Sequence, residues 1–84
     1  MPHMWTEMET RMVLNLYIEY GVLSLGDQRV INLSGELNIS PGSIRMKLQN
    51  FASLDPMAIT AGLKNASNLD KLIWEEHQRT IRRG

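Results

Sequence analysis

A helix stop and a helix start fall within one stretch of four residues in this chain, at Asn38-Ile39-Ser40-Pro41. Asparagine tolerates the left-handed conformation that ends a helix, and a hydrophobic residue just beyond it can pack back onto the last turn. Serine is a strong N-cap, and proline fits the first helical position, where its missing N–H has no intrahelical partner to lose. So short a connection forces the flanking helices into a tight corner. Leu37, Ile39, Ile44 and Leu48 are spaced to fill that corner, and Ser34 is small enough to let the two helices approach. Two helices joined this way have the outline of a helix-turn-helix.

The remaining helices follow from caps and periodicity. With 84 residues and no cysteine, the chain is long enough for one domain and cannot rely on disulfides, which fits a reducing cytoplasm. No apolar run approaches the roughly 20 residues of a membrane helix, so no membrane partner is expected. Thr6 and Glu9 have the spacing of a capping box, opening a helix that Gly21 stops. Met8, Met12, Leu16 and Tyr20, widened by Val13 and Tyr17, form its expected inward stripe. Leu14 and Ile18 then lie on the other side and are expected to form a contact surface, most simply that of a homodimer.

Asp27 caps a second helix, with Val30, Leu33 and Leu37 inward, and Asn38 ends it. The third helix carries the stripe Ile44, Leu48, Phe51 and Ala52, and Asp55-Pro56 terminates it. Met57 to Asn65 reads as a turn or partial helix broken by Gly62. Ser67 and Asp70 repeat the cap pattern and open a last helix with Leu69, Leu72, Ile73, Trp74 and Ile81 inward. The expectation is an all-α fold, a trihelical core plus a C-terminal helix, near 7–20, 28–37, 41–54 and 68–82. Residues 1–5 are expected to be a flexible tail ahead of a single domain over 6–84.

Formal net charge is zero, which argues against strong nonspecific binding to nucleic acid. The charge is polarised, however. Residues 1–39 carry Arg11 and Arg29 against Glu7, Glu9, Glu19, Asp27 and Glu36, a net −3. Residues 40–84 carry seven basic residues against Asp55, Asp70, Glu75 and Glu76, a net +3. The face of the third helix opposite Ile44, Leu48 and Phe51 holds Gly42, Ser43, Met46 and Asn50, flanked by Arg45 and Lys47, with Ser40 at its start. Small and amide side chains there can reach base edges while the cations meet phosphates. The same layout also describes a solvated or protein-contacting face. Arg79, Arg82 and Arg83 suit the negative end of the last helix dipole and could also grip a phosphate backbone.

Enzymatic chemistry is not expected. Only His3 and His77 are present, too few for a metal site, and His77 reads as a partly buried structural residue. Adjacent Glu75 and Glu76 point about 100° apart on a helix and do not pair. No glycine-rich phosphate loop occurs, and no cofactor is implied.

The stretch Leu37 to Leu48 resembles the helix-turn-helix of bacterial sigma factors and related response regulators, which implies a recognition helix beginning at Pro41. A second resemblance covers nearly the whole chain. Its blocks are Trp5-Thr6-Glu7, Ser40 through Leu48, Asn50 through Pro56, Gly62-Leu63, Asn65-Ala66-Ser67, Leu69-Asp70-Lys71 and Ile73 through Glu76. Together they resemble the N-terminal region found ahead of the nuclease domain in some bacterial and phage HNH endonucleases and restriction-like proteins. This implies a DNA-associated, anti-invader setting but not catalysis, since the nuclease residues would lie beyond Gly84. The expected function is a non-catalytic module that binds duplex DNA, as a regulator or as the targeting part of a nuclease. The alternative is a protein-interaction module, such as a small phage-encoded inhibitor of a host protein. Neutral net charge and the Leu14–Ile18 side favour that alternative.

Overall fold

The computed structural model describes residues 3–58 and 66–83, the last two of these as backbone. They form four helices: α1 (Glu7–Tyr20), α2 (Gln28–Leu37), α3 (Pro41–Leu54) and α4 (Asn68–Arg83). The described residues include no strand. No described helix is long and apolar enough to cross a membrane. The element boundaries follow the caps. Thr6 Oγ1 accepts from the Glu9 N–H, and Glu9 Oε1 accepts from the Thr6 N–H, so both halves of the box form. Asp27 and Ser40 accept from the N–H groups of Arg29 and Ser43. Asn38 adopts the left-handed conformation, φ 58° and ψ 43°. Ser67 and Asp70 close a second reciprocal box at the start of α4, at 3.0 and 3.1 Å.

Helix α3 is the hub: α1, α2 and α4 all pack against it, and α1 also packs on α4. Ile44, Leu48 and Phe51 are fully buried, with Val13, Leu14 and Tyr17 from α1, Val30 from α2, Ile39 from the turn, and Ile73 and Trp74 from α4 around them. The Phe51 ring meets Tyr17 and Trp74 at centroid separations of 6.3 and 6.4 Å, the range in which aromatic pairs attract. Between α2 and α3 the Ser34 hydroxyl donates to the Ile39 carbonyl, fastening the turn from inside.

In two helices part of the buried face differs from what hydrophobicity alone predicts. The buried side of α1 is Thr10, Val13, Leu14 and Tyr17. Leu14 is 4% exposed, whereas Met8 is 70% and Tyr20 46% exposed. Leu14 therefore belongs to the core, not to a contact surface, and of the expected interface pair only Ile18 reaches solvent. The reason is Thr10, which occupies a core position because its hydroxyl donates to the Thr6 carbonyl at 2.7 Å. A buried hydroxyl with its bond made carries little penalty. In α4, Ile73 and Trp74 are buried and Leu69 packs against the core, as expected, while Asp70 is buried beside them and Leu72 and Ile81, expected inward, are exposed.

Ahead of α1, residues 3–6 make contacts with the helices. Trp5 packs against the core and His3 Nε2 lies 2.8 Å from Glu9 Oε1. After α3, the Asp55 side chain accepts from the Met57 N–H at 2.9 Å and starts a turn. The Ala58 N–H donates to the Asp55 carbonyl at 3.1 Å, and the rest of the turn or partial helix expected over Met57–Asn65, residues 59–65, lies outside the described residues.

Tyr17 donates its phenol proton to Asp55 Oδ2 at 2.7 Å. Burial, and then the Asp55 carboxylate, push its ionisation upward. The folded state thus holds this proton more tightly than the unfolded chain does. Its contribution is complete below the unfolded value of about 10 and is lost as pH rises beyond it. Tyr17→Phe is expected to lower stability at pH 7 by about 1.5–3 kcal/mol, the worth of a hydrogen bond to a charged acceptor. The variant is also expected to lose less stability than the parent between pH 9 and 11, as read by urea unfolding at each pH. A parallel loss in both proteins would mean that Tyr17 does not carry the alkaline transition.

Candidate nucleic-acid interface

The sequence places two kinds of residue on α3, those that fill the core and those that face out. The packing draws that line differently from the helical wheel. Lys47, expected as a surface cation, is 5% exposed. Its Nζ donates to Asp70 Oδ1 at 2.8 Å and to Oδ2 at 3.1 Å, and it lies 4.8 Å from the centre of the Trp5 ring. Asp70 is fully buried and also accepts from the Ser67 N–H and from Asn50 Nδ2, the latter at 3.2 Å. Both carboxylate oxygens are therefore engaged, Oδ1 by Lys47 and Oδ2 by Lys47, Asn50 and the Ser67 N–H. A charge pair withdrawn from water this completely persists only when its remaining hydrogen bonds are made, and here they are.

Lys47 is thus a correction to the expected phosphate contacts: its ammonium points to α4, not to solvent. Asn50 follows it. Its amide is half-buried and engaged with Asp70, so it is not a free base-reading group.

What remains outward on α3 is a row at helical spacing: Gly42, Met46, Gln49 and Ser53. Met46 is 62% exposed. A Cβ added at Gly42 would meet nothing within 4 Å, so internal packing does not require glycine there. Arg45 borders the row, half-buried, and makes no ion pair among the described residues. Ser40 and Ser43 lie at the head of the helix, joined by a hydroxyl–hydroxyl contact of 2.9 Å. Gln49, which the sequence reading passed over, is half-buried, and no described side-chain hydrogen bond engages its amide. The signal was its position, seven residues after Gly42, once Lys47 and Asn50 are assigned inward.

The arginines of the last helix stand apart from this row. Arg79 is exposed on α4, one turn after Glu76, which pairs with Arg11 of α1 at 2.7 Å. The side chains of Arg82 and Arg83 lie outside the described residues. A second surface feature is a groove of about 470 Å³ between α1 and α2. Met12, Leu16 and Leu33 line it with Glu19 and Glu36 among its polar residues. No family model, curated protein or solved structure gives a significant match to the chain.

Removing one member of the buried pair is expected to be severe. Asp70→Ala strands the Lys47 ammonium and removes the α4 cap, a loss of about 3–5 kcal/mol or more. That is a large part of the roughly 4–12 kcal/mol available to a domain of this length at 0.05–0.15 kcal/mol per residue. Lys47→Met with Asp70→Asn keeps the cap acceptor and leaves no stranded charge. It is expected to unfold in urea within about 2 kcal/mol of the parent, because well-packed neutral replacements of buried pairs are often close to neutral. An Asp70→Ala protein as stable as the parent would put Lys47 back at the surface.

Proposed function

We propose that the chain is a non-catalytic DNA-binding module in which α2 and α3 act as a helix-turn-helix and α3 enters the major groove of a duplex. The outward row on α3 carries this reading. Gly42 to Gln49 spans about 10 Å at 1.5 Å per residue, a length that suits a groove about 12 Å wide. Gly42 leaves bare backbone where close approach is needed, and Met46 offers an apolar contact of the kind a thymine methyl accepts. Arg45 supplies a cation that the fold does not consume. The α3 N-terminus, with Ser40 and Ser43, presents the positive end of the helix dipole to a phosphate. A restriction or anti-invader setting is the biological role we propose alongside it.

With Lys47 withdrawn from the surface, nonspecific affinity is weak. A domain of zero net charge that offers few phosphate contacts belongs at the micromolar end or beyond. The competing reading, a protein-interaction module, draws on the groove between α1 and α2. Its apolar residues Met12, Leu16 and Leu33, with Glu19 and Glu36 outnumbering Arg29 among its charged residues, suit an amphipathic helix with basic residues.

A salt titration with random-sequence duplex tests the proposal. Arg45→Ala is expected to weaken binding and to reduce the slope of log K against log salt by about 1, the value for one phosphate contact. The fold is expected to survive, because Arg45 makes no described ion pair. Absence of binding by the parent at low salt would rule against DNA as the partner. An unchanged slope in the variant would remove Arg45 from the interface.

A further inference from the structure

Bidentate recognition of adenine in the major groove needs a side-chain amide whose oxygen and nitrogen are both available, one accepting from N6 and the other donating to N7. Helix α3 carries two adjacent amides, Gln49 and Asn50. They are not equivalent. Asn50 Nδ2 donates to the buried Asp70 carboxylate at 3.2 Å. Turning it outward would withdraw a hydrogen bond from a fully buried charge, and such a bond is expensive to break. Gln49 lies in the same outward row as Met46, and no described side-chain hydrogen bond engages its amide. Glutamine also has one more methylene than asparagine, so its amide reaches further from the helix.

We propose that Gln49, not Asn50, is the base-reading residue of α3, and that the module prefers an adenine at one position of its duplex site. The inference rests on the reading of α3 as the groove-facing helix. Met46 stands one turn before Gln49, about 4.5 Å back along the axis at 1.5 Å per residue. Successive bases on a strand are about 3.4 Å apart, so the two side chains address neighbouring pairs. Met46 fits against a thymine methyl while Gln49 pairs with the adenine edge. The preferred contact is therefore an A·T-containing step. Arg45, at the border of the row, holds the adjacent phosphate and contributes affinity without sequence preference.

The test is selection from a pool of randomised duplexes at low salt, followed by competition between the selected duplex and single-base variants. The parent is expected to show one strongly preferred adenine, with discrimination of about 5- to 150-fold, the range of a good bidentate pair. Gln49→Ala is expected to abolish that preference while leaving the salt slope intact, because no phosphate contact is lost. Gln49→Glu is expected to move the preference toward cytosine, whose exocyclic amine is a donor. Asn50→Ala is expected to lower the midpoint of urea unfolding yet keep the adenine preference. Gln49→Ala with an unchanged preference would overturn the assignment, as would loss of the preference in a folded Asn50→Ala protein. If the parent binds no duplex at all, the reading of α3 as a DNA-facing helix falls, and this inference falls with it. If the parent binds but shows no base preference, only the inference falls.

Discussion

The carboxylate of Asp70 has no contact with water and four donor contacts with the protein: two from the Lys47 ammonium, one from Asn50 and one from the Ser67 backbone. Withdrawing a carboxylate and an ammonium from water is costly, so this arrangement persists only with all its partners in place. Much of the molecule is arranged around that requirement. Asp70 must sit in the first turn of α4, where it also completes a cap, and α4 must lie against α3. Trp5 must cover the Lys47 ammonium, which draws the N-terminal segment onto the fold. The pair is also directional in a way that apolar contacts are not. A slip of α4 by one residue along α3 would separate the charges, whereas Ile73 could find another apolar neighbour.

The same pair decides which residues of α3 are free. By commiting Lys47 and Asn50 inward, it leaves Gly42, Arg45, Met46 and Gln49 as the side available to a partner. It also explains how a domain with nine basic residues can have so little basic surface on its candidate reading helix. Charge near the interface is set by what the core consumes as well as by composition. Weak electrostatic affinity then shifts the burden of recognition onto base-edge contacts and onto whatever else tethers the module to its site.

Helix boundaries were legible in the sequence because each rests on a local signal: Thr6 with Glu9, Asp27, Asn38, Ser40 with Pro41, Asp55 with Pro56, and Ser67 with Asp70. The buried stripe of α3 was legible too, because Ile44, Leu48 and Phe51 are apolar throughout. Helix phase failed where a core position holds a polar residue. Thr10 in α1 and Asp70 in α4 are fully buried, the first satisfied by a carbonyl one turn back and the second by a cation from another helix. Hydrophobic periodicity counts both as surface residues and rotates the stripe away from them. On that count Met8 and Leu72 were drawn inward and Leu14 outward. The error on Lys47 has the same origin, since its partner is 23 residues away and no local pattern links the two.

The measurement that bears most directly on the role of α3 is a two-dimensional NMR titration of the labelled protein with a short duplex, following side-chain amide and backbone signals together. Duplex binding through α3 predicts shifts in the backbone amides of Gly42 to Gln49 and in the Gln49 side-chain amide. The Asn50 side-chain amide, held by Asp70, is predicted to stay near its free position, as are Leu16 and Leu33 in the groove between α1 and α2. Shifts concentrated in that groove, with Arg45, Met46 and Gln49 unmoved at saturation, would contradict it and give α3 a purely structural role.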